Sequence, residues 1–220
     1  MRNMRWKGGN KHLYAIGSII GFGCQDAVIW GSGILNDYRL YRDRIRKSSL
    51  DIRCVRGPKT RMLLRSYGVK CPEVYGDPAI LLPEIYMPKN DKKLYDISVI
   101  THFSKNNLEY KGIHRINILT TDYKSVVDEI VASKLVISSS LHGIILSEIY
   151  GVPCVLLSEN NMNLFKYEDY YYSTERYNIP KAGNIEEALN LKPLNIPDFT
   201  NIRENLRNSF PYDLFVSNHL

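Results

Sequence analysis

Short runs of apolar residues, each followed by small or polar residues, recur along the chain. Aliphatic and β-branched residues dominate these runs, as is typical of buried parallel strands. We predict strands at residues 13–16, 27–30, 52–55, 96–100, 116–119, 135–137 and 153–157. Helical spacing of apolar positions predicts helices at residues 58–67, 126–132, 144–150 and 201–211. Because strands and helices alternate, the sequence predicts an α/β fold in which helices cover the faces of parallel sheets.

Residues 87–93 interrupt this pattern with a proline and several charges. We interpret them as a linker, because the alternation of strands and helices restarts after them. The predicted domains are residues 1–88, residues 94–200, and a C-terminal helix and tail at 201–220 that packs back on the N-terminal domain. Two such α/β units form a cleft between them.

Two of the N-terminal strands end in small residues, Gly17 and Ser18 after the first and Gly31 and Ser32 after the second. Small residues at the carboxyl edge of a sheet let a ligand approach the backbone closely. Tight turns require the same residues, so both interpretations stay open.

Arg56 stands at the end of the third strand, just before a helix that Pro58 can begin. The planar guanidinium suits a carboxylate or a phosphate, and the helix N-terminus adds its dipole. The alternative is an ion pair with a local carboxylate.

A buried strand at 135–137 leads into three serines and then Leu141, His142 and Gly143. His142 would lie in the first turn of the following helix, where backbone N–H groups and the helix dipole favour an anion. An imidazole beside an anion site indicates proton transfer on an anionic substrate. The alternative is a histidine that caps the helix or fills a gap. His102 follows another strand end and is either a second ligand contact or a core or surface residue.

The tyrosine-rich stretch 165–172 contains Lys166, Asp169 and Tyr170. Tyrosine rings can stack on a sugar, while hydroxyl and carboxylate groups hydrogen-bond to it. The alternative is an amphipathic helix that packs its aromatic face on the sheet.

Of the 220 residues, 44% are hydrophobic and 24% are charged, which is ordinary for a soluble globular protein. The net charge of +6 favours anionic partners. The densest basic cluster is interpreted as a solvated helix face rather than a nucleic-acid site, with contact to an anionic membrane surface or a lipid phosphate left open. Its members are Arg39, Arg42, Arg44, Arg46 and Lys47. We expect no nucleic-acid partner.

The four cysteines, at positions 24, 54, 71 and 154, show neither zinc-site nor disulfide-framework spacing. No apolar stretch is long enough to span a membrane, and the first residues lack the apolar region of a signal peptide. We therefore predict a cytoplasmic protein, with peripheral association with the inner membrane face as an option.

Several motifs, taken together and in this order, resemble the polysaccharide pyruvyl transferases. They are VRGPKT at 55–60, YGDPA at 75–79, SSSLHG at 138–143 and YGVP at 150–153. The stretches 15–18, 28–33, 166–171 and 210–214 are similar to the bacterial exopolysaccharide branch, the succinoglycan-type ketal pyruvyl transferases.

The resemblance implies two Rossmann-like domains that face each other as in GT-B glycosyltransferases. It also implies transfer of a pyruvyl group from phosphoenolpyruvate (PEP) to two hydroxyls of a sugar, which gives a cyclic ketal and phosphate. The acceptor would be a cell-surface polysaccharide such as an exopolysaccharide or capsule, or its lipid-linked precursor. Arg56 and His142 match the family residues associated with the PEP site.

This chemistry requires a proton donor and an anion site. We expect His142 to shuttle the proton or deprotonate the hydroxyl, and Arg56 to hold the carboxylate or phosphate. Ser139 and Ser140, with the helix start at Leu141, would orient the phosphate, and His102 is a weaker candidate for phosphate contact or for a second acid. The predicted acceptor side uses the N-terminal strand ends and the tyrosine-rich stretch. We expect no cofactor and no metal.

Members of the family begin with a segment containing Asn-x-Gly-Asp, which this chain lacks. We therefore expect a shortened first domain that lacks its first βα unit. Two other functions stay open. One is a GT-B-like glycosyltransferase that uses a nucleotide sugar, and the other is an inactive paralogue that acts as a partner in polysaccharide assembly.

Overall fold

The computed structural model describes residues 4–22, 26–37, 39–101, 112–158 and 162–217. Its internal contacts divide the chain into two compact units. Unit 1 comprises Met1–Pro78, Asn163–Tyr177 and Thr200–Leu220, and unit 2 comprises Ala79–Met162 and Asn178–Phe199. Residues 163–177 therefore pack with unit 1, although the predicted bounds assign them to the C-terminal domain. The status of these units as independent domains stays a prediction.

Unit 1 is built around a three-stranded parallel sheet with the strand order β2-β3-β4. Its elements are β1 (Met4–Trp6), β2 (His12–Tyr14), β3 (Asp26–Trp30), α1 (Arg39–Arg46), β4 (Ser49–Cys54), α2 (Pro58–Ser66), α5 (Phe165–Ser173), α7 (Thr200–Ser209) and β10 (Phe215–Ser217). β1 and β10 form a separate antiparallel pair. The parallel pairing aligns the carboxyl ends of β2, β3 and β4, so the loops after these strands meet at one edge of the sheet.

The core of unit 1 contains side chains from the sheet, from α1 and from α2. Its fully or nearly fully buried members include Ile29, Ile45, Val55 and Leu64. The tail helix α7 belongs to the same unit, where the Trp30 indole Nε1–H donates a hydrogen bond of 2.8 Å to the Leu206 carbonyl.

Unit 2 contains a five-stranded, fully parallel sheet with the order β6-β5-β7-β8-β9. Its elements are a 3-10 helix (Pro78–Glu84, of which Pro78 belongs to unit 1), β5 (Tyr95–Ile100), β6 (His114–Arg115), α3 (Tyr123–Val131), β7 (Ser133–Ser138), α4 (Leu141–Ile149), β8 (Cys154–Leu157), β9 (Lys181–Ala182) and α6 (Ile185–Asn190). The central strand β7 pairs with β5 and β8, and its Val136 and Ile137 have no exposed surface, as is typical of a parallel sheet whose faces are covered.

These two parallel sheets, with helices between the strands, confirm the predicted α/β class. One predicted strand is wrong. Residues 116–119 follow the edge strand β6 rather than form it. The strand pairs with β5 over His114 and Arg115, and the Ile116 N–H then donates to the Val99 carbonyl at 3.0 Å. Ile116 is still buried, which explains the apolar run, but the chain then turns where the Asn117 side chain accepts the Leu119 N–H.

No helix in the described part of the chain has both the length and the apolar character that crossing a membrane requires.

Candidate functional site

One of the predicted site segments is the turn from β7 into α4 in unit 2. Ser138 ends the strand, and its hydroxyl donates to the Ser140 carbonyl at 2.9 Å and accepts the Ser140 N–H at 3.0 Å. Ser140 is the N-cap of α4, and its hydroxyl oxygen accepts the Gly143 N–H at 3.5 Å. The three serines thus shape a tight turn that ends in a helix N-terminus, as the sequence predicts.

Gly143 is required here by close packing. A Cβ atom at this position would lie 2.3 Å from the Ser138 hydroxyl oxygen and 3.0 Å from a methyl carbon of Ile100. Only glycine lets the first turn of α4 approach the ends of β5 and β7 this closely.

His142 lies in the first turn of α4, and its side chain is half-buried. Its neighbours in the turn are buried, since Ser139, Ser140 and Leu141 are exposed by 5%, 7% and 3%. His142 is therefore the accessible ionisable group of this turn. The positive end of the α4 dipole and the imidazole are placed together, which suits an anion that must also exchange a proton.

The neighbouring strand β5 ends at Ile100, whose carbonyl accepts the Ser139 N–H at 2.9 Å. Thr101 follows it and is 3% exposed. His102 lies outside the described residues, so its predicted phosphate contact stays a prediction.

Arg56 lies in unit 1. A ligand contact would need an accessible guanidinium, and here the guanidinium is enclosed by the protein. The side chain has no exposed surface. Its Nε–H donates to Asp169 at 3.0 Å, Nη1 donates to the Ser18 hydroxyl at 2.6 Å, and Nη2 donates to the Ile34 carbonyl at 3.0 Å. The guanidinium thus joins α5 to the loops after β2 and β3, and in this structure no part of it faces solvent.

Asp169 is the partner of that guanidinium and is also fully buried. One carboxylate oxygen accepts the Thr60 N–H at 2.8 Å, and the other accepts the Thr60 hydroxyl at 2.7 Å as well as the Arg56 Nε–H. The Thr60 hydroxyl in turn accepts the Ile34 N–H at 3.1 Å. A buried charge is tolerated where it is paired and hydrogen-bonded in this way.

Two glycines pack directly against this ion pair. A Cβ at Gly33 would lie 2.4 Å from the central guanidinium carbon of Arg56, and a Cβ at Gly57 would lie 1.8 Å from the Asp169 carbonyl oxygen. The Arg-Gly-Pro-Lys-Thr stretch therefore packs directly against α5.

The small residues predicted to bind the acceptor make close contacts within unit 1. Ser32 is fully buried and donates its hydroxyl to the Gly17 carbonyl at 2.8 Å, and Ser18 bonds to Arg56. Gly31 has φ of +89°, and a Cβ there would lie 2.3 Å from the Pro78 ring. These contacts favour the interpretation as tight turns, and an acceptor contact stays a prediction.

The tyrosine-rich stretch forms α5. Tyr170 is fully buried, and the Arg176 guanidinium lies over its ring at 5.7 Å from the ring centre. Lys166 is half-buried, and burial lowers the pKa of its ammonium group, with a further lowering by the Arg56 charge. Of the three residues predicted on this helix, Lys166 is the one with accessible surface, since Asp169 and Tyr170 have none.

No sequence pattern identified Thr60, Gly33 or Gly57 as partners of a buried ion pair. Two signals were present: a threonine that closes the arginine motif, and the adjacent carboxylates Glu168 and Asp169 among the tyrosines of α5. In the described residues, no group of three or more histidine, cysteine or acidic side chains could hold a metal ion. The expectation of a metal-free mechanism stays a prediction.

Comparison with known proteins identifies the family to which these motifs belong. The family model for polysaccharide pyruvyl transferase matches residues 5–161. An uncharacterized protein of Acanthamoeba polyphaga mimivirus is 28% identical over 156 residues, which cover 66% of this chain and 52% of the relative. The succinoglycan biosynthesis protein ExoV of Rhizobium meliloti (strain 1021) is 28% identical over 152 residues, covering 65% and 46%. The chain spans about half the length of these curated relatives. Because the family model covers most of the chain, including the Arg56 and His142 motifs, the protein belongs to the polysaccharide pyruvyl transferase family.

Proposed function

We propose that the protein transfers a pyruvyl group from PEP to two hydroxyls of a sugar, and that the acceptor is a saccharide unit of a cell-surface polysaccharide. The observation that carries this proposal is the β7–α4 turn, where His142 stands at a helix N-terminus in the Ser-Leu-His-Gly motif. Family membership and the similarity to a succinoglycan biosynthesis protein support the substrate class.

The reaction forms two C–O bonds at the central carbon of PEP and breaks the bond from that carbon to the phosphate oxygen. Of the two hydroxyl protons, one ends on the methylene carbon, which becomes a methyl group, and the other leaves with phosphate. A group that exchanges protons near neutral pH is needed beside the phosphate site. His142 is half-buried at this position and is proposed for that role.

The phosphate is proposed to lie at the N-terminus of α4, where backbone N–H groups and the helix dipole favour an anion. Ser140 supports this site by capping the helix, and Ser138 shapes the turn that holds it. Direct contact of Ser139 with the phosphate stays a prediction, since 5% of the residue is exposed.

We further propose that the two units correspond to the two Rossmann-like domains of a GT-B-like enzyme. Their parallel sheets and intervening helices support this assignment. A cytoplasmic location and the ketal structure of the product remain part of the proposal.

The test compares wild type with His142→Ala, using PEP and the succinoglycan repeating unit without its pyruvate as the probe acceptor. Wild type should release phosphate and add one pyruvate, less one water, to the acceptor, as seen by mass spectrometry. Loss of a general acid or base should lower kcat by about 10² to 10⁴. Calorimetry should show that His142→Ala binds PEP with a Kd within a few-fold of the wild-type value, because this variant retains the helix N-terminus.

His12→Ala is the matched control, because it removes an exposed histidine at the start of β2 in unit 1. It should leave turnover unchanged. Full activity of His142→Ala would remove the assigned role. Stabilisation by nucleotide sugars and not by PEP in a thermal shift experiment would favour a glycosyltransferase instead.

A further inference from the structure

A basic groove lies along the open edge of the sheet in unit 1, apart from the motifs of the proposed transfer reaction. It has a volume of about 640 Å³. It is lined by the edge strand β4, by α2 and by the segment after it, with Asp51, Arg61, Arg65, Lys70 and Cys71 among the lining residues. β4 pairs only with β3 over residues 49–54 in the described sheet, so its outer side faces this groove.

Three cations converge on the groove. Arg61 and Arg65 are four residues apart on α2 and therefore project from the same face of that helix. Both lie near the Cys71 thiol, whose pKa they lower. Lys70 and Arg65 are exposed.

The negative groups at the groove are already engaged. Asp51 accepts two hydrogen bonds, at 2.7 and 2.9 Å, from Arg53, which is not among the lining residues and also pairs with Asp213. Burial raises the pKa of the Cys71 thiol to about 12 and outweighs both arginines, so the thiol stays neutral. Arg61 pairs with Glu73, so Arg65 and Lys70 are the cations that give the groove its excess of positive charge.

One donor in the groove is unused by the protein. The Arg61 Nη2 pairs with Glu73 at 3.2 Å, but the Arg61 Nε is buried and has no hydrogen-bond partner among the described residues. An unpaired buried donor is costly, and an anion oxygen would satisfy it.

We propose that this groove binds a diphosphate group. Arg65, Lys70 and the unused Nε–H of Arg61 together offer more donors than one phosphate needs, and a guanidinium fork matches the paired oxygens of a phosphate. The volume leaves room for a further part of the molecule that carries the diphosphate. This site is independent of the His142 turn, which is located in unit 2.

The experiment titrates the full chain with inorganic pyrophosphate by calorimetry at fixed ionic strength, with inorganic phosphate in parallel. Arg65→Ala/Lys70→Ala is the test variant, because both side chains are exposed and their removal leaves the core intact. Loss of two charge-assisted contacts should weaken pyrophosphate binding by about tenfold or more. Wild type should bind pyrophosphate more tightly than phosphate.

Arg39→Ala/Lys47→Ala is the matched control, since it removes two exposed cations from unit 1 outside the groove. It should retain wild-type pyrophosphate binding. Equal weakening in the control, unchanged binding in the test variant, or phosphate binding as tight as pyrophosphate would each overturn the proposal. His142→Ala should bind pyrophosphate as wild type does, whether or not the protein transfers pyruvate.

Discussion

At the scale of single residues, unit 1 contains a fully buried ion pair, because neither the Arg56 nor the Asp169 side chain is exposed. Moving a charge from water into a protein interior costs several kcal/mol, which the partner charge and the hydrogen bonds offset. The partners are Ser18, Thr60 and the Ile34 carbonyl. Removing one member leaves the other charge buried and unpaired.

We expect Arg56→Met and Asp169→Leu each to lower the free energy of unfolding by about 3–5 kcal/mol. The double variant should lose clearly less free energy of unfolding than the two single variants lose together, because it leaves no unpaired charge in the interior. Urea denaturation of the four proteins measures this coupling. Arg53→Met is the control, since Arg53 and both its partners, Asp51 and Asp213, are partly exposed, and exposed pairs contribute about 0–1 kcal/mol each.

The same variants separate the two roles of Arg56. If the guanidinium is a ligand for PEP, Arg56→Met should weaken PEP binding with little effect on stability. If it positions α5, stability falls, and Asp169→Leu should reduce PEP binding to the same extent as Arg56→Met. An unchanged free energy of unfolding in Arg56→Met would contradict the structural role.

Cys54 provides a pH-dependent prediction. Its side chain has no exposed surface, and burial raises the pKa of the thiol from 9.0 to about 12. The unfolded thiol releases its proton first, so stability is fully present below about pH 9 and falls as pH rises towards 12.

Through Cys54, the free energy of unfolding should fall by up to about 1.4 kcal/mol per pH unit within that window. Cys54→Ala should show a smaller loss between pH 9 and 11 in urea denaturation. Iodoacetamide at pH 8.5 should label this thiol only after unfolding. A Cys54→Ala variant with the same alkaline slope as wild type would contradict the assignment.

At the scale of elements, local patterns were enough for most of the fold. Buried runs predicted β3, β4, β5, β7 and β8, and the serine turn predicted the start of α4, because these features depend on neighbours in sequence. The Arg56–Asp169 pair joins residues 113 positions apart, so no local pattern reveals which carboxylate the arginine meets. The sequence left open a bound anion or a local carboxylate as the partner, and the local partner is wrong, because the observed carboxylate is distant in sequence.

The start of α4 provides a prediction for one element. In Gly143→Ala, the added methyl group would meet the Ser138 hydroxyl at 2.3 Å, so the first turn of α4 must shift away from β7. We expect a loss of about 1–3 kcal/mol in stability. PEP binding should weaken and turnover should fall, because the helix N-terminus and His142 move together.

Gly183→Ala is the matched control for that shift. Its Cβ would meet only the end of the flexible Glu187 side chain, at 3.2 Å. Stability and turnover should stay close to wild type. If Gly143→Ala keeps wild-type turnover, the geometry of this turn is not needed for the reaction.

At the scale of the whole molecule, the chain builds unit 1 from three separate segments. Residues 1–78 supply the sheet, residues 163–177 supply Asp169, and residues 200–220 supply α7. Ile202 and Leu206 pack against Gly76, where a Cβ would lie within 2.9 Å of both side chains. The first segment therefore depends on side chains that lie far along the sequence.

A fragment of residues 1–88 should consequently fail to fold cooperatively, because Arg56 would be buried without its carboxylate and the surface around Gly76 would be uncovered. Circular dichroism on heating measures this. The matched fragment is residues 79–199 with residues 163–177 replaced by a flexible Gly/Ser linker, which keeps both segments of unit 2 and its five-stranded sheet. It should melt in one transition, since its core residues, including Val99, Ile137 and Ala182, are all retained. A cooperative transition in the 1–88 fragment would show that α5 and α7 are dispensable to unit 1, and that the buried arginine finds solvent or another partner without Asp169.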